Sequence, residues 1–468
     1  MSRTYLIALT LAWLTAAIAH SKPLNVVFYL IDDMGWMDIG ANGSDYYRTP
    51  HIDRLAAEGM RFTNGYAACN VCTPTRAAIM TGKYPARLLM TQWLPSGRWD
   101  AKAHRLREAR YLQAMPLEEF TIAEALREEG YSTAFMGKWH LGPEPYYFPR
   151  HQGFDVNVGG RDYGAPGSYW YPYQGKWLIP TTNQLYSKRD TVVDGKEGDY
   201  LIDRIAEEGE KYIRSVADKP FFLMMSHYGV HTPLQGKPDK VARYEAIPDE
   251  KRKGDPRYAA MVESIDDSVG RIVDTLEDLG LDDRTLIIFT SDNGGHSKAT
   301  RNAPLRANKG SNYEGGLRVP VVIKWPGNTK PGSVSEELVY SGDFYPTILA
   351  ATGSPMRPLQ HIDGVDLTPV LRGEGDSGRD ALFWHYPHYN RHPQNFPASI
   401  IRKGKWKLIE KLDTRELELY DLDSDIGETS NLAEARPELT QRLYGELDQW
   451  RQDVGADPMR PNPEYEGE

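Results

Sequence analysis

Short apolar runs alternate with stretches of helical periodicity along most of the chain. Asn25–Ile31 (NVVFYLI) is an almost unbroken β-branched and aromatic run, the pattern of a parallel strand buried on both faces. Ser132–Met136, Pro220–Met225, Leu286–Thr290 and Val319–Lys324 predict further buried strands. Between them, Ile52–Gly59 predicts a short helix and Thr121–Glu129 another, with Thr121 and Glu124 at capping-box spacing. Ala259–Leu279 is the clearest helical stretch. Its Met261, Ile265, Val269, Ile272, Val273 and Leu276 fall on one face, as a core-facing helix requires. Strand, helix, strand in succession predicts an α/β fold: a doubly wound, mostly parallel sheet flanked by helices.

Two segments break this rhythm. Tyr146–Thr191 is rich in Tyr, Trp, Gly and Pro with little periodicity, and reads as a long ordered excursion near a site. From about Gly373 the pattern changes. Ser399–Ile409 (SIIRKGKWKLI) alternates apolar and basic residues like an exposed strand, Leu417–Leu422 is a pairing candidate, and Leu432–Val454 predicts a closing helix. At 468 residues the chain is long for one core. The expected division is a leader over 1–19, a large domain over 20–372 and a small C-terminal α+β domain over 373–468.

The leader has Arg3, an apolar run from Tyr5 to Ile18, and Ala17-Ile18-Ala19 as a small-x-small cleavage site. The run is shorter than the roughly 20 residues of a membrane span. The expectation is therefore export, to a periplasmic or extracellular address, with no membrane span. The net charge of −10 argues against nucleic acid as the main partner, since that binding needs clustered cations. A local basic pocket for a small anionic substrate stays open. Only two cysteines occur, Cys69 and Cys72. The C-x-x-C spacing fits a redox dithiol, half of a metal site, or one cysteine with a separate fate.

Acids cluster at predicted strand ends. Asp32 and Asp33 follow the first strand, and Asp292 and Asn293 follow the strand Leu286–Thr290. In a doubly wound sheet the carboxyl ends of neighbouring strands face one crevice. Converging carboxylates repel without a cation, and an all-oxygen set suits calcium or magnesium better than zinc. Each pair alone would pass as a loop cap; two pairs after two buried strands favour a metal. In Cys72-Thr73-Pro74-Thr75-Arg76, Pro74 is placed to start a helix. Cys72 would then sit where helix N–H groups stabilise negative charge, with Arg76 about a turn further on.

The run from Cys72 to Arg76 resembles the Cys-x-Pro-Ser/Thr-Arg signature of the type I sulfatase family, and Asn70 stands where a smaller residue is more usual. Gly137-Lys138-Trp139-His140, His231-Thr232-Pro233, Lys309-Gly310, Tyr313-Glu314-Gly315-Gly316 and Arg318-Val319-Pro320 continue the resemblance in order, from about Leu24 to Leu371. It implies an alkaline-phosphatase-like fold and a sulfuric ester hydrolase in which Cys72 is oxidised to formylglycine by a formylglycine-generating or anaerobic sulfatase-maturating enzyme. It implies Ca2+ held by Asp32, Asp33, Cys72, Asp292 and Asn293. Arg76 and Lys138 would steady the formylglycine, His140 would act as base in sulfate release, and His231 and Lys309 would contact sulfate near the leaving oxygen, with His231 the acid. The phrasing is closest to sulfatases of polysaccharides and N-acetylgalactosamine, which implies a sulfated oligo- or polysaccharide substrate.

Aromatic residues suited to a sugar wall are Tyr163, Trp170, Tyr171, Tyr173 and Trp177, joined by His385, His388, Arg391 and His392 from the later segment. Three rival functions have specific objections. A phosphatase of the same superfamily would place Ser or Thr at position 72 and use zinc. A non-catalytic relative would have lost Cys72, Arg76 or a metal ligand. A thiol oxidoreductase would leave Pro74, Arg76 and the paired acids unexplained.

Overall fold

The computed structural model describes residues 23–95, 99–179, 184–188 and 193–466, with backbone alone over 176–179 and 184–188. The predicted leader and the side chain of Trp177 lie outside the described residues.

β1 (Asn25–Ile31) divides its side chains between two cores: Val27, Tyr29 and Ile31 enter one, Val26, Phe28 and Leu30 the other. An interior strand of a two-faced sheet must be apolar on both sides, which is why its sequence shows no alternation. The remaining strands of this sheet are β2 (Met60–Tyr66), β3 (Ser132–Gly137), β4 (Val156–Val158), β5 (Phe221–Ser226), β6 (Thr285–Ser291), β7 (Val321–Lys324) and β8 (Ser333–Tyr340). Their order is β8-β2-β7-β6-β1-β5-β3-β4, and only β7 runs against the others.

Helices close both faces. α1 (Pro50–Glu58), α4 (Leu201–Ser215) and α5 (Pro256–Asp278) cover the Val27 side, the last with the apolar stripe read from its sequence. α2 (Cys72–Thr81) and α3 (Ile122–Glu128) cover the Phe28 side, and the Thr121/Glu124 capping box starts α3. Among the described residues no helix is long and apolar enough to cross a membrane.

A second, antiparallel sheet contains β9 (Ala381–Tyr386), β10 (Ala398–Lys403), β11 (Trp406–Lys411) and β12 (Leu417–Asp421), in that order. α6 (Pro437–Asp453) lies on it through Leu443, Leu447 and Trp450. The same apolar cluster includes Tyr66, Tyr84, Tyr313 and Tyr340, so the small sheet shares a core with the edge of the large one.

Several expectations change. The run SIIRKGKWKLI is two strands, because Gly404 at φ 55° turns the chain into a hairpin. Away from the exposed turn at Gly404 and Lys405 it is largely buried, not exposed: Arg402 and Lys407 lie beside the buried Glu314. The closing helix begins at Pro437, five residues later than predicted, since Pro is favoured at the first helical position and restricts the residue before it. β7 begins only after Pro320, which has no N–H to give a ladder, and it is antiparallel. β2 and β8 were not visible in the sequence; Asn64 and Gly65 break the apolar pattern of the first, and Glu336 and Glu337 that of the second. The excursion after Tyr146 supplies β4 at the sheet edge and a hairpin of Gly175–Ile179 with Gln184–Lys188.

Phe28 tests the claim of two separate cores. Its ring, 1% exposed, meets Phe344 edge-on at 5.2 Å. Phe28→Ala is expected to cost about 3–5 kcal/mol by leaving a cavity, read as a lowered midpoint of urea unfolding.

Candidate active site

β1 and β6 pair in parallel with Ile31 opposite Ser291, so the next residues, Asp32 and Asp292, leave the sheet side by side. Asp33 follows in the left-handed region at φ 66°, and Asn293 donates to its Oδ1 at 2.8 Å. All four are fully buried. β3 ends level with Ser226 of β5, which brings Lys138 to the same rim.

Each carboxylate has its own cation. Lys138 Nζ lies 2.7 Å from Asp32 Oδ2. Arg76 reaches Asp292 Oδ2 through Nε at 2.9 Å and Nη2 at 2.7 Å, and its Nη1 donates to the Lys138 carbonyl and Ser226 Oγ. Lys309 Nζ donates to Asp33 Oδ1. Burial, with Asp292 and Asp33 close by, pushes Asp32 well above the usual carboxylate range against the pull of Lys138. Burial would raise Asp33 too, but the Lys309 ammonium against its Oδ1 holds it far below that range.

The outward oxygens are thus satisfied, and the inward ones are not. Asp32 Oδ1, Asp33 Oδ2 and Asn293 Oδ1 are buried without a hydrogen-bond partner. Ligand atoms of Asp32, Cys72 and Asp292 lie within 4.8 Å of one another, as do those of Asp32, Asp33 and His231. Buried oxygens left bare are costly unless something fills the space between them. Hard oxygen donors around one point fit calcium.

Cys72 opens α2 and is 3% exposed. Its Sγ lies 3.5 Å from His140 Nδ1. The other ring nitrogen, Nε2, is 2.6 Å from the Leu94 carbonyl, an acceptor, so Nε2 carries the proton and Nδ1 faces residue 72 unprotonated. Gly164 packs on this ring; a Cβ there would come within 2.8 Å of Cε1. His231 follows similar logic: its Nδ1 donates to the Thr232 carbonyl at 2.8 Å, leaving Nε2 bare and 3.7 Å from Asp33 Oδ2. Burial first, and Lys309 second, hold this imidazole neutral, well below its usual range.

Cys72, His140, His231 and Lys309 line a cavity of about 180 Å³, whose remaining wall is Trp93, Leu94, Gly164, Thr232, His296 and His392. Trp93, Leu94 and His296 were missed from sequence. His296 had a signal, four residues beyond Asp292 on the same loop; Trp93 and Leu94 had none. The predicted sugar wall falls mostly elsewhere. Trp170 packs tilted against Tyr200 at 4.8 Å, Tyr173 is fully buried with Tyr171 against it, and Tyr163 packs on the core. His385 bonds Ser399 and lines a different cavity, and His388 is buried against Thr91 and Glu108. Arg391 is exposed and lines no cavity described. These residues were chosen by ring and charge type, and most of the rings serve the core instead. Of the described members of the group, only His392 reaches the cavity, edge-on to Trp93 at 6.0 Å.

The unusual Asn70 donates through its amide to Asn312 Oδ1 at 2.9 Å, and its carbonyl accepts from the Gly310 N–H, tying the start of α2 to the Lys309 loop. Cys69 and Cys72 are both free thiols. Burial pushes the Cys69 thiol up to about 12, which leaves it a poor redox nucleophile.

A sulfatase family model matches residues 24–354, and the C-terminal model of N-sulphoglucosamine sulphohydrolase matches 307–453. Curated relatives include a sulfatase of Formosa agariphila, 32% identical over 92% of this chain and 89% of that one. Human arylsulfatase A is 34% identical over 92% and 88%, and mouse N-acetylgalactosamine-6-sulfatase 33% over 79% and 70%. Among solved structures, Ps i-CgsB in complex with k-i-k-neocarrahexaose superposes with a TM-score of 0.77 at 29% identity, covering 95% of each chain. With the acid pairs and Cys72 converging at the carboxyl end of such a sheet, the chain belongs to the sulfatase family and is a sulfuric ester hydrolase.

Proposed function

We propose that the chain removes sulfate from a sulfated carbohydrate, with residue 72 as a formylglycine nucleophile beside one calcium ion. The observation that carries this reading is the set of buried, unpartnered oxygens on Asp32, Asp33 and Asn293, with Asp32 and Asp292 clustered beside Cys72. These residues and Asp292 would hold the ion, which supplies Lewis acidity and orients the sulfate oxygens when bound. Hydrated formylglycine supplies two hydroxyls on one carbon, one to attack and one to let sulfate go.

The chain's own groups carry the protons and the charge. His140 turns its unprotonated Nδ1 to residue 72, the position for a base that collects a hydroxyl proton. Arg76 and Lys138 hold Asp292 and Asp32 in place and balance their charge near residue 72. Lys309 lines the cavity and offers its ammonium to a sulfate oxygen. Burial and Lys309 keep His231 neutral; an incoming anion favours protonation of Nε2, and that proton is then available to the leaving alkoxide. The relatives named for N-acetylgalactosamine and the structure holding a neocarrahexaose support a carbohydrate substrate, and Trp93 and His392 offer ring faces for it.

Because Cys72 is 3% exposed, a maturating enzyme would have to act before the chain folds. That fits an exported protein with a leader over 1–19, a catalytic domain over 20–372 and a small domain over 373–468.

In mass spectrometry, the peptide containing Cys72 should lose about 18 Da, the difference between a thiol and an aldehyde side chain, when the chain is made with a formylglycine-generating enzyme. Only that sample should hydrolyse an aryl sulfate; equal activity in the unmodified sample would rule out the nucleophile. Chelation should abolish turnover and lower the melting temperature, with calcium restoring both. His231→Ala should depress kcat by about 10²–10⁴-fold with little change in KM; an unchanged kcat removes His231 from the acid role.

A further inference from the structure

The two loops that carry the acid pairs are joined behind the site by a buried cluster that touches neither the cavity nor the cation position. Asp38 is fully buried, five residues beyond Asp33. Its Oδ2 accepts from the Gly35 N–H at 2.8 Å and its Oδ1 from Thr300 Oγ1 at 2.7 Å. Thr300 lies on the loop that begins with Asp292 and Asn293, and accepts in turn from the Tyr47 hydroxyl at 2.7 Å. The third member comes from α5. The Tyr258 hydroxyl, fully buried, lies between Asp38 Oδ2 and the backbone carbonyl of Asp33, 3.1 Å from the latter, and shares its one proton between them.

The carbonyl it holds belongs to the residue at φ 66°. A non-glycine residue in the left-handed region costs free energy and persists only where its surroundings fix it. That turn sets the course of the chain at Asp33, whose carboxylate clusters with Asp32 and His231. Packing leaves the two loops little slack: a Cβ on Gly35 would meet Asn302 Oδ1 at 2.5 Å, and one on Gly295 would meet the Thr300 methyl at 2.3 Å.

We infer that Asp38, Tyr258 and Thr300 are positioning residues for the cation: they lock the two acid-bearing loops to each other and to α5, so that the ligand oxygens converge before the ion arrives. The inference rests on the calcium reading above. It assigns to these residues a share of metal affinity through geometry alone, since none of them offers an atom to the ion. Supporting groups of this kind are typically worth 10–100-fold in metal affinity.

The test measures calcium binding directly, by competition with a chromophoric chelator, on wild type, Tyr258→Phe and Thr300→Val, with urea unfolding of each protein in excess EDTA alongside. Tyr258→Phe keeps the ring and removes only the hydroxyl; Thr300→Val keeps the shape and removes the link to Asp38. The expected result is calcium binding weakened about 10–100-fold in both variants, with metal-free unfolding midpoints close to wild type. Wild-type calcium affinity in both folded variants would overturn the brace while leaving the calcium site intact. A metal-free midpoint that falls while calcium affinity holds would overturn it equally, reducing the cluster to core packing. A wild type that takes up no calcium would overturn the metal reading and the brace together.

Discussion

The in-register pairing of β1 with β6 sets Asp32 beside Asp292 in an interior closed to water, and the rest of the site answers the repulsion this creates. Carboxylate oxygens of the two lie within 4.8 Å of each other, and like charges at about 5 Å repel by about 3 kcal/mol even at an effective dielectric constant near 20. Asp33 adds a third. Three cations from three different segments, Arg76 on α2, Lys138 after β3 and Lys309 on a distant loop, each take one outer carboxylate oxygen. The arrangement neutralises the acids one by one without filling the space between them. What remains are the buried, unpartnered oxygens of Asp32, Asp33 and Asn293, on which the proposed calcium site rests.

The parts of this arrangement that were legible in the sequence are those tied to strand ends. Asp32-Asp33 and Asp292-Asn293 follow apolar runs too clear to misplace, and a parallel sheet brings such ends together. The segment from Cys72 to Arg76 was legible because Pro74 and the local spacing define a helix start. Trp93 and Leu94 were not legible. They sit on an aperiodic loop after a short helical turn, and nothing local distinguishes Trp93 from the many aromatics that fill the core. Trp170 and Tyr173 lie away from the cavity beside Cys72 for the converse reason: aromatic content marks burial as readily as a binding face.

The small sheet was legible as an element but not as a contributor to the site. Its alternating basic residues looked like a solvent face. Instead, Lys407 lies 3.0 Å from Glu314 and 2.8 Å from Glu428, both fully buried, and Glu428 also accepts from the Glu314 N–H. Arg318 and the Tyr66 hydroxyl complete the shell around Glu314. A pattern read by alternation cannot anticipate this, because the acids that draw the cations inward lie about a hundred residues away for Glu314 and on another loop for Glu428.

That buried cluster connects the small sheet to catalysis. Glu314 stands five residues from Lys309, and the loop between is pinned again at Gly310, whose carbonyl accepts from Asn390 at 2.8 Å and Asn395 at 2.7 Å. His392, on the same segment as those asparagines, closes the cavity wall. The position of the Lys309 ammonium relative to Asp33 is therefore set from two sides, by its partner carboxylate in the large sheet and by the C-terminal segment that holds its backbone. A composition boundary near residue 373 divides the chain by texture, but the hydrogen bonds that hold Lys309 cross it. The small sheet works as the outer half of the mould that fixes the lysine and the wall above it.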